Sequence, residues 1–234
     1  MIGVFDSGIG GLTVLDELLK VIPNYDYIYY GDSKNNPYGE KTDQELMAIT
    51  RSIVMDLKDK GCKVIVIACN TATTRCMKKL REEFPELIFV GTVPAIKVAC
   101  DKASKRTLVM ATPATIESER TNELVRDNIK KGQEIYLIPC PGLAHAIETK
   151  DYFEINRILK EIYDEYKDRE IDSIVLGCTH YPYIKKEILS YFKGVDLLDG
   201  ANGVAREVKR QLELHNILPK DKKGKVVIRN SEEE

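Results

Sequence analysis

Two hydrophobic runs of the chain end in a cysteine and then turn polar at once. They are Val64-Ile65-Val66-Ile67-Ala68-Cys69-Asn70-Thr71 and Ser173-Ile174-Val175-Leu176-Gly177-Cys178-Thr179-His180. A thiol between a buried strand and a following helix sits where backbone N–H groups and the positive helix end favour an anion. A free thiol has a pKa of about 8.5, so holding it as thiolate near neutral pH takes about 2 kcal/mol. A helix N-terminus can supply part of that, which makes Cys69 and Cys178 candidate acid/base groups. Either alone reads equally well as a packed thiol at a strand end. The repetition singles out the pair. His180, two residues beyond Cys178, adds an imidazole able to take or return a proton. His145 and His215 have no such neighbour and read as structural or surface residues.

Asp6 ends the first hydrophobic run and opens Asp6-Ser7-Gly8-Ile9-Gly10-Gly11-Leu12-Thr13. A phosphate-binding glycine loop is one reading. A GxGxxG pattern starting at Gly8 would need glycine where Thr13 stands, and a carboxylate beside the loop would repel phosphate. The better reading is a tight turn that places Asp6 and Ser7 at the floor of a site. Asp6, Cys69, Cys178 and His180 could be imagined around a metal. However, Cys178 and His180 lack the helical-His or paired-Cys spacing of common sites, so no metal is expected.

The elements that would position these residues alternate between strand and helix, as in α/β proteins. Candidate strands are 2–5, 27–30, 64–68, 88–90, 107–111, 135–138, 173–176, 195–198 and 226–228. Several are apolar throughout, as parallel strands covered on both faces are. Leu12, Leu15, Leu18 and Ile22 repeat at helical spacing; so do Leu46, Ile49, Ile53 and Leu57, behind a capping box of Thr42 and Glu45. Ile155, Ile158, Leu159, Ile162 and Tyr166 mark another helix, and Thr112-Pro113 reads as a helix start. The two cysteine runs echo each other, and the strand-turn-helix at 4–19 is matched more loosely at 108–125. The expectation is two similar parallel-sheet lobes, residues 1–95 plus 201–234 and residues 96–200, related by a pseudo-twofold with the active site in the cleft between them. The tail 230–234 reads as frayed.

At 234 residues the chain can bury roughly 70% of its extended surface, so a real core needs no staples. A net charge of -2 gives no sign of a nucleic-acid or membrane-surface partner. No apolar run approaches the length of a membrane span, and Met1-Ile2-Gly3-Val4-Phe5 is too short for a signal peptide, so a cytoplasmic protein is expected. The six cysteines form no CxxC pair and read as reduced thiols. Cys62, Cys76, Cys100 and Cys140 are expected to fill space.

Taken together, five segments resemble the motif set of bacterial glutamate racemases, within the aspartate/glutamate racemase superfamily. They are Asp6 through Leu15, Pro37-Tyr38-Gly39, Ala68-Cys69-Asn70-Thr71-Ala72-Thr73, Val93-Pro94-Ala95-Ile96 and Leu176-Gly177-Cys178-Thr179-His180-Tyr181-Pro182. They occur in that family's order across about the whole chain. The resemblance implies that Cys69 and Cys178 are catalytic thiols on opposite faces of the substrate, with Asp6 assisting Cys69 and His180 assisting Cys178. It also makes Glu148 a further catalytic carboxylate. Ser7, Pro37, Tyr38, Gly39, Asn70, Thr71, Thr112, Thr115 and Thr179 then fall where the family binds its amino acid, alongside Asp6, Cys69, Cys178 and His180. Two departures stand out: His145 replaces a more usual proline, and Ser33-Lys34-Asn35-Asn36 replaces the usual Thr-Ala-Arg stretch. The resemblance further implies D-glutamate made for peptidoglycan, no cofactor, and a homodimer.

Inverting a carbon requires a proton to leave one face and another to arrive on the opposite face. Two groups must therefore flank it, and thiols suit the task because their pKa lies near working pH. Without pyridoxal phosphate as electron sink, the carbanion needs hydrogen-bond donors around its carboxylate, which the Asn70-Thr71 and Thr179 turns could supply. One preorganised donor contributes roughly 3 kcal/mol. A racemase for aspartate or a hydantoin shares this chemistry. A silent module that binds an acidic metabolite, and a phosphate-binding transferase, are the readings from other classes.

Overall fold

The computed structural model describes residues 1–233. The chain divides into two compact units, Met1–Thr92 with the segment from Ala201 onward, and Val93–Gly200.

In the first unit the order is β1 (Ile2–Asp6), α1 (Leu12–Val21), β2 (Tyr27–Gly31), α2 (Asp43–Asp59), β3 (Val64–Ile67), α3 (Asn70–Glu83) and β4 (Ile88–Gly91). After the second unit the chain returns to it with α10 (Ala201–Leu214) and β9 (Val226–Asn230). The strands form a parallel sheet in the order β4-β3-β1-β2-β9. β1 and β3 are buried at every position, which is why their sequences are apolar without alternation. Ile2, Val4, Val64 and Val66 face α1 and α10, whose Val14, Leu15, Leu18, Val204, Val208 and Leu212 complete that layer. Phe5, Ile65 and Ile67 face the other way, onto Leu46, Ile53, Val54 and Leu57 of α2 and Cys76 and Leu80 of α3. The capping box at the start of α2 is formed in both directions: Glu45 N–H donates to Thr42 Oγ1 at 3.3 Å, and Thr42 N–H donates to Glu45 Oε2 at 2.8 Å.

The second unit holds α4 (Ile96–Asp101), β5 (Arg106–Ala111), α5 (Pro113–Ile116), α6 (Glu119–Asn128), β6 (Glu134–Pro139), α7 (Leu143–Glu148), α8 (Tyr152–Tyr166), β7 (Ser173–Leu176), α9 (Lys185–Tyr191) and β8 (Asp196–Leu198). Its parallel sheet runs β6-β5-β7-β8. Val109 and Val175 pack on the α4 side with Ile96 and Leu124, while Leu108, Met110, Ile174 and Leu176 pack on α7, α8 and α9.

The nine expected strands all form, with ends shifted by a residue or two. Three expectations need correction. The helix expected near 113–125 is two helices, because Ser118 caps a second start: its Oγ accepts from the Thr121 N–H at 3.2 Å. Cys178 does not lead straight into an α-helix. A 3-10 turn over Tyr181–Ile184 intervenes before α9, with Pro182 in its first turn. The tail is not frayed up to residue 233. Asn230 ends β9 beside Gly31, its side chain donates to Ser33 Oγ at 3.0 Å, and Ser231 Oγ accepts from Lys34 N–H at 3.0 Å.

Gly177 tests how tightly the second sheet is built. A Cβ there would stand 2.8 Å from the Met110 carbonyl oxygen and 2.9 Å from Ala111 Cβ. Both neighbours are fixed by the β5–β7 ladder, so Gly177→Ala should cost about 1–3 kcal/mol as overpacking. Urea unfolding monitored by circular dichroism reads this directly. A midpoint equal to that of the parent would mean the ladder yields where the contacts say it cannot.

Candidate functional site

In a parallel sheet, ligands gather beyond the carboxyl ends of strands where the strand order reverses. The first sheet reverses between β1 and β3: β2 lies on one side of β1, β3 and β4 on the other. The residues carried to that point are Asp6 and Cys69. Ala68 N–H donates to the Phe5 carbonyl at 2.9 Å, which fixes Cys69 just beyond the ladder. The second sheet reverses between β5 and β7, with β6 outside one and β8 outside the other. That point carries Thr112 and Cys178, tied through Gly177 N–H to the Met110 carbonyl at 2.7 Å. Both cysteines therefore stand at the strand-order reversal of their own sheet, where ligands of parallel sheets commonly gather.

Around Cys69 the unit gathers most of the residues expected there. Asp6 is fully buried, and one of its oxygens, Oδ2, accepts from the N–H of Gly8 at 3.2 Å and of Gly11 at 2.9 Å. The glycine loop thus grips a carboxylate of its own chain, which is a structural reason for it to hold no phosphate. Gly11 has to be glycine: a Cβ would lie 2.5 Å from Asp6 Cβ. Ser7 is buried beside it. Cys69 itself is the residue before α3, a helix of 14 residues, and its thiol stands at the positive end of that helix. Asn70 and Thr71 form the buried first turn, and the side-chain oxygen Asn70 Oδ1 has no hydrogen-bond partner.

Pro37, Tyr38 and Gly39 lie on a loop after β2, where the Asn36-Pro37 peptide is cis and Tyr38–Glu40 makes a 3-10 turn. Tyr38 is buried, and burial pushes its phenol well above its usual range; Asp32, Cys69 and Asp6 push the same way. The phenol donates to Asp32 Oδ2 at 2.7 Å. Sequence reasoning passes over Asp32, although it follows β2 as directly as Asp6 closes β1. Strand-end position, the signal that picks out Asp6, would have found it.

Around Cys178 the arrangement is a hydrogen-bonded chain. Cys178 Sγ lies 3.7 Å from His180 Nδ1, and His180 Nε2 lies 2.5 Å from Glu148 Oε2. His180 is fully buried and Cys178 nearly so. Glu148 is the last residue of α7, whose start at Gly142 takes a left-handed conformation with φ 75°. His145 is the third residue of that helix and is exposed. First-turn N–H groups have no partner inside a helix, so histidine in place of proline there adds no intrahelical hydrogen bond. Thr112 caps α5 through Thr115: Thr115 N–H donates to Thr112 Oγ1 at 3.3 Å. Thr115 and Thr179 are buried.

The other four thiols lie inside the core. Burial pushes Cys62 up to about 11 and Cys140 up to about 12, and it raises Cys76 and Cys100 as well. They stay protonated and fill space. Among the described residues no group of three or more His, Cys, Asp or Glu is arranged to hold a metal ion. No helix among them is long and apolar enough to cross a membrane.

Comparison with known proteins agrees with this geometry. The family model of Asp/Glu/Hydantoin racemase matches residues 13–208. The glutamate racemase of Clostridium perfringens is 45% identical over 100% of this chain and 91% of its own length. Among solved structures, Francisella tularensis glutamate racemase in complex with D-glutamate superposes with a TM-score of 0.83 at 30% identity, covering 98% of this chain and 87% of that one. Escherichia coli glutamate racemase in complex with L-glutamate and the activator UDP-MurNAc-ala gives 0.82 at 30% identity, with 97% and 88% covered. With a family match over most of its length and such relatives end to end, the chain belongs to the Asp/Glu/Hydantoin racemase family, on its glutamate racemase side, and is an amino-acid racemase.

Proposed function

We propose that this racemase interconverts L- and D-glutamate without a cofactor, with Cys69 and Cys178 as its two acid/base groups. The observation that carries the reading is the repeated placement of a cysteine at the strand-order reversal of each sheet, with His180 Nδ1 3.7 Å from the Cys178 thiol. In one direction a thiolate removes the α-proton, forming S–H as the Cα–H bond breaks. The other thiol gives its proton to the opposite face of the carbanion and becomes the thiolate. The reverse reaction exchanges the roles, and a full turn leaves the proton count unchanged.

The side chains supply what each thiol lacks. With Glu148 accepting from His180 Nε2–H, the lone pair of Nδ1 points to Cys178 and can take the thiol proton. Asp6, immobilised by Gly8 and Gly11, serves Cys69 as the fixed proton acceptor at the end of the neighbouring strand. The α-carboxylate finds N–H donors in the first turn of α3, and the free acceptor Asn70 Oδ1 suits the substrate ammonium. Ser7, Thr71, Thr112, Thr115 and Thr179 offer the remaining hydroxyls. The D-glutamate formed serves peptidoglycan synthesis; the Escherichia coli neighbour, whose activator is UDP-MurNAc-ala, supports that setting. The assembly is a cytoplasmic homodimer, and light scattering at twice the 26.5 kDa of one chain would bear it out.

The decisive experiment incubates metal-chelated protein with each glutamate enantiomer in heavy water and follows optical rotation and α-deuterium, with aspartate alongside. Both enantiomers of glutamate should converge to the racemate with deuterium incorporated. Absence of exchange with any acidic amino acid ends the proposal, and exchange that needs a metal or pyridoxal phosphate ends its two-thiol chemistry. Cys69→Ser and Cys178→Ser should each abolish inversion in a folded protein; normal turnover by both would return these cysteines to packing. Glu148→Gln should lower kcat by about a hundredfold. Its loss should be greater in the direction that uses Cys178 as base, and equal losses in both directions would remove Glu148 from that role.

A further inference from the structure

The loop after β2 carries the stretch in which this chain departs from the family it resembles. At its root lies Asp32, only 2% exposed. Its Oδ2 accepts from the Tyr38 hydroxyl at 2.7 Å, and its two oxygens share the Asn35 side-chain N–H₂ at 3.0 Å and 3.0 Å. Among the described residues no lysine, arginine or histidine is paired with it. A carboxylate taken out of water must find donors, and here they are one phenol and one amide. The phenol is held protonated, chiefly by burial, so its O–H remains a donor across the working pH range. Its ring belongs to the same buried cluster as Cys69, Phe5 and Ala72.

The rest of the loop is fastened independently. Arg75 of α3 donates to the Lys41 carbonyl at 2.9 Å and to the Asp43 carboxylate at 2.6 Å. Ser33 and Lys34 are tied to Asn230 and Ser231. Loss of the Asp32 contacts would therefore release Tyr38 without detaching the loop.

We infer that Asp32 is a positioning residue for the Cys69 half of the reaction, its carboxylate and Asn35 forming a latch that fixes the Tyr38 phenol in the buried cluster that also holds Cys69. The inference rests on the role proposed for Cys69, but the latch can be read without turnover. A thiol that alternates between charged and neutral forms needs a constant surround, and a fixed phenol keeps water out on its side.

The test is alkylation by iodoacetamide at fixed pH, with Cys69 and Cys178 quantified separately by peptide mapping. Asp32→Asn should raise the Cys69 rate roughly tenfold through local opening while the Cys178 rate stays put. Adding Asn35→Asp restores a carboxylate opposite an amide and should bring the rate back. Tyr38→Phe, which keeps both the ring and the Asp32 charge, should also raise Cys69 reactivity; this excludes a simple change of field, since no negative charge has been removed. Equal acceleration of both cysteines, or none in either variant, overturns the latch. If Asp32→Asn does not fold, Tyr38→Phe alone decides. A chain that never racemises glutamate but shows the Cys69-selective rise would refute the proposed activity and leave the latch standing.

Discussion

Each unit positions its cysteine through one hydrogen-bonded ladder: β1 to β3 in the first and β5 to β7 in the second. These ladders join the strands at which the order of each sheet reverses, so the turns leaving them diverge to opposite faces and open a crevice. Asp6 and Cys69 stand beyond one ladder, Thr112 and Cys178 beyond the other. A slip of one residue in either register would turn every side chain of the strand to the other face. With both faces apolar, it is the fit of the packed side chains that resists it: Val64 and Val66 fill one helix layer, Ile65 and Ile67 the other, and a slip would exchange those volumes. Core packing thus fixes where the thiols emerge.

Beyond the ladders the constraint is electrostatic. Asp6, Asp32 and His180 are all buried. Asp6 is answered by backbone N–H groups, Asp32 by a phenol and an amide, and His180 by a carboxylate. Each solution ties a titratable group to one geometry, because an unpaired polar group at such a site would be costly. The glycines follow from this. Gly11 exists for the Asp6 carboxylate to approach the backbone, which explains a glycine-rich turn that has nothing to do with phosphate.

How much of this could be read from residues alone depended on whether the signal was local. The strands, the Thr42–Glu45 capping box and the Thr112-Pro113 helix start are local patterns, and all formed. The strand-end cysteines were legible because a period of hydrophobicity stops just before them. Glu148 beside His180 was reachable only through family resemblance: they are 32 residues apart, and nothing in α7 announces its partner. Asp32 escaped although its position matched that of Asp6, since its role lies in contacts with Asn35 and Tyr38 that a loop sequence does not encode by spacing. Ser118 capping a new helix, and the 3-10 turn after Cys178, were hidden because side-chain capping and proline placement compete with continuous helix on fine margins.

The contrast between Cys140 and Cys178 shows what makes a buried thiol useful. Both belong to one hydrophobic cluster of the second unit. Cys140 has its thiol pushed up to about 12 by burial, and its Sγ–H is spent on the Ile138 carbonyl at 3.5 Å. Burial alone therefore disarms a cysteine. Cys178 differs in lying at the open end of β7 with His180 Nδ1 at 3.7 Å and Glu148 behind the ring. A partner that can accept the proton, held in one orientation by a second partner, is what the proposed acid/base role of Cys178 requires. The surroundings of Cys69 are of another kind, with the end of a long helix and, closing the adjoining strand, a backbone-anchored carboxylate in place of an imidazole. The two halves resemble each other in strand topology, while the groups that serve their thiols are different, so the two thiols should not be chemically equivalent.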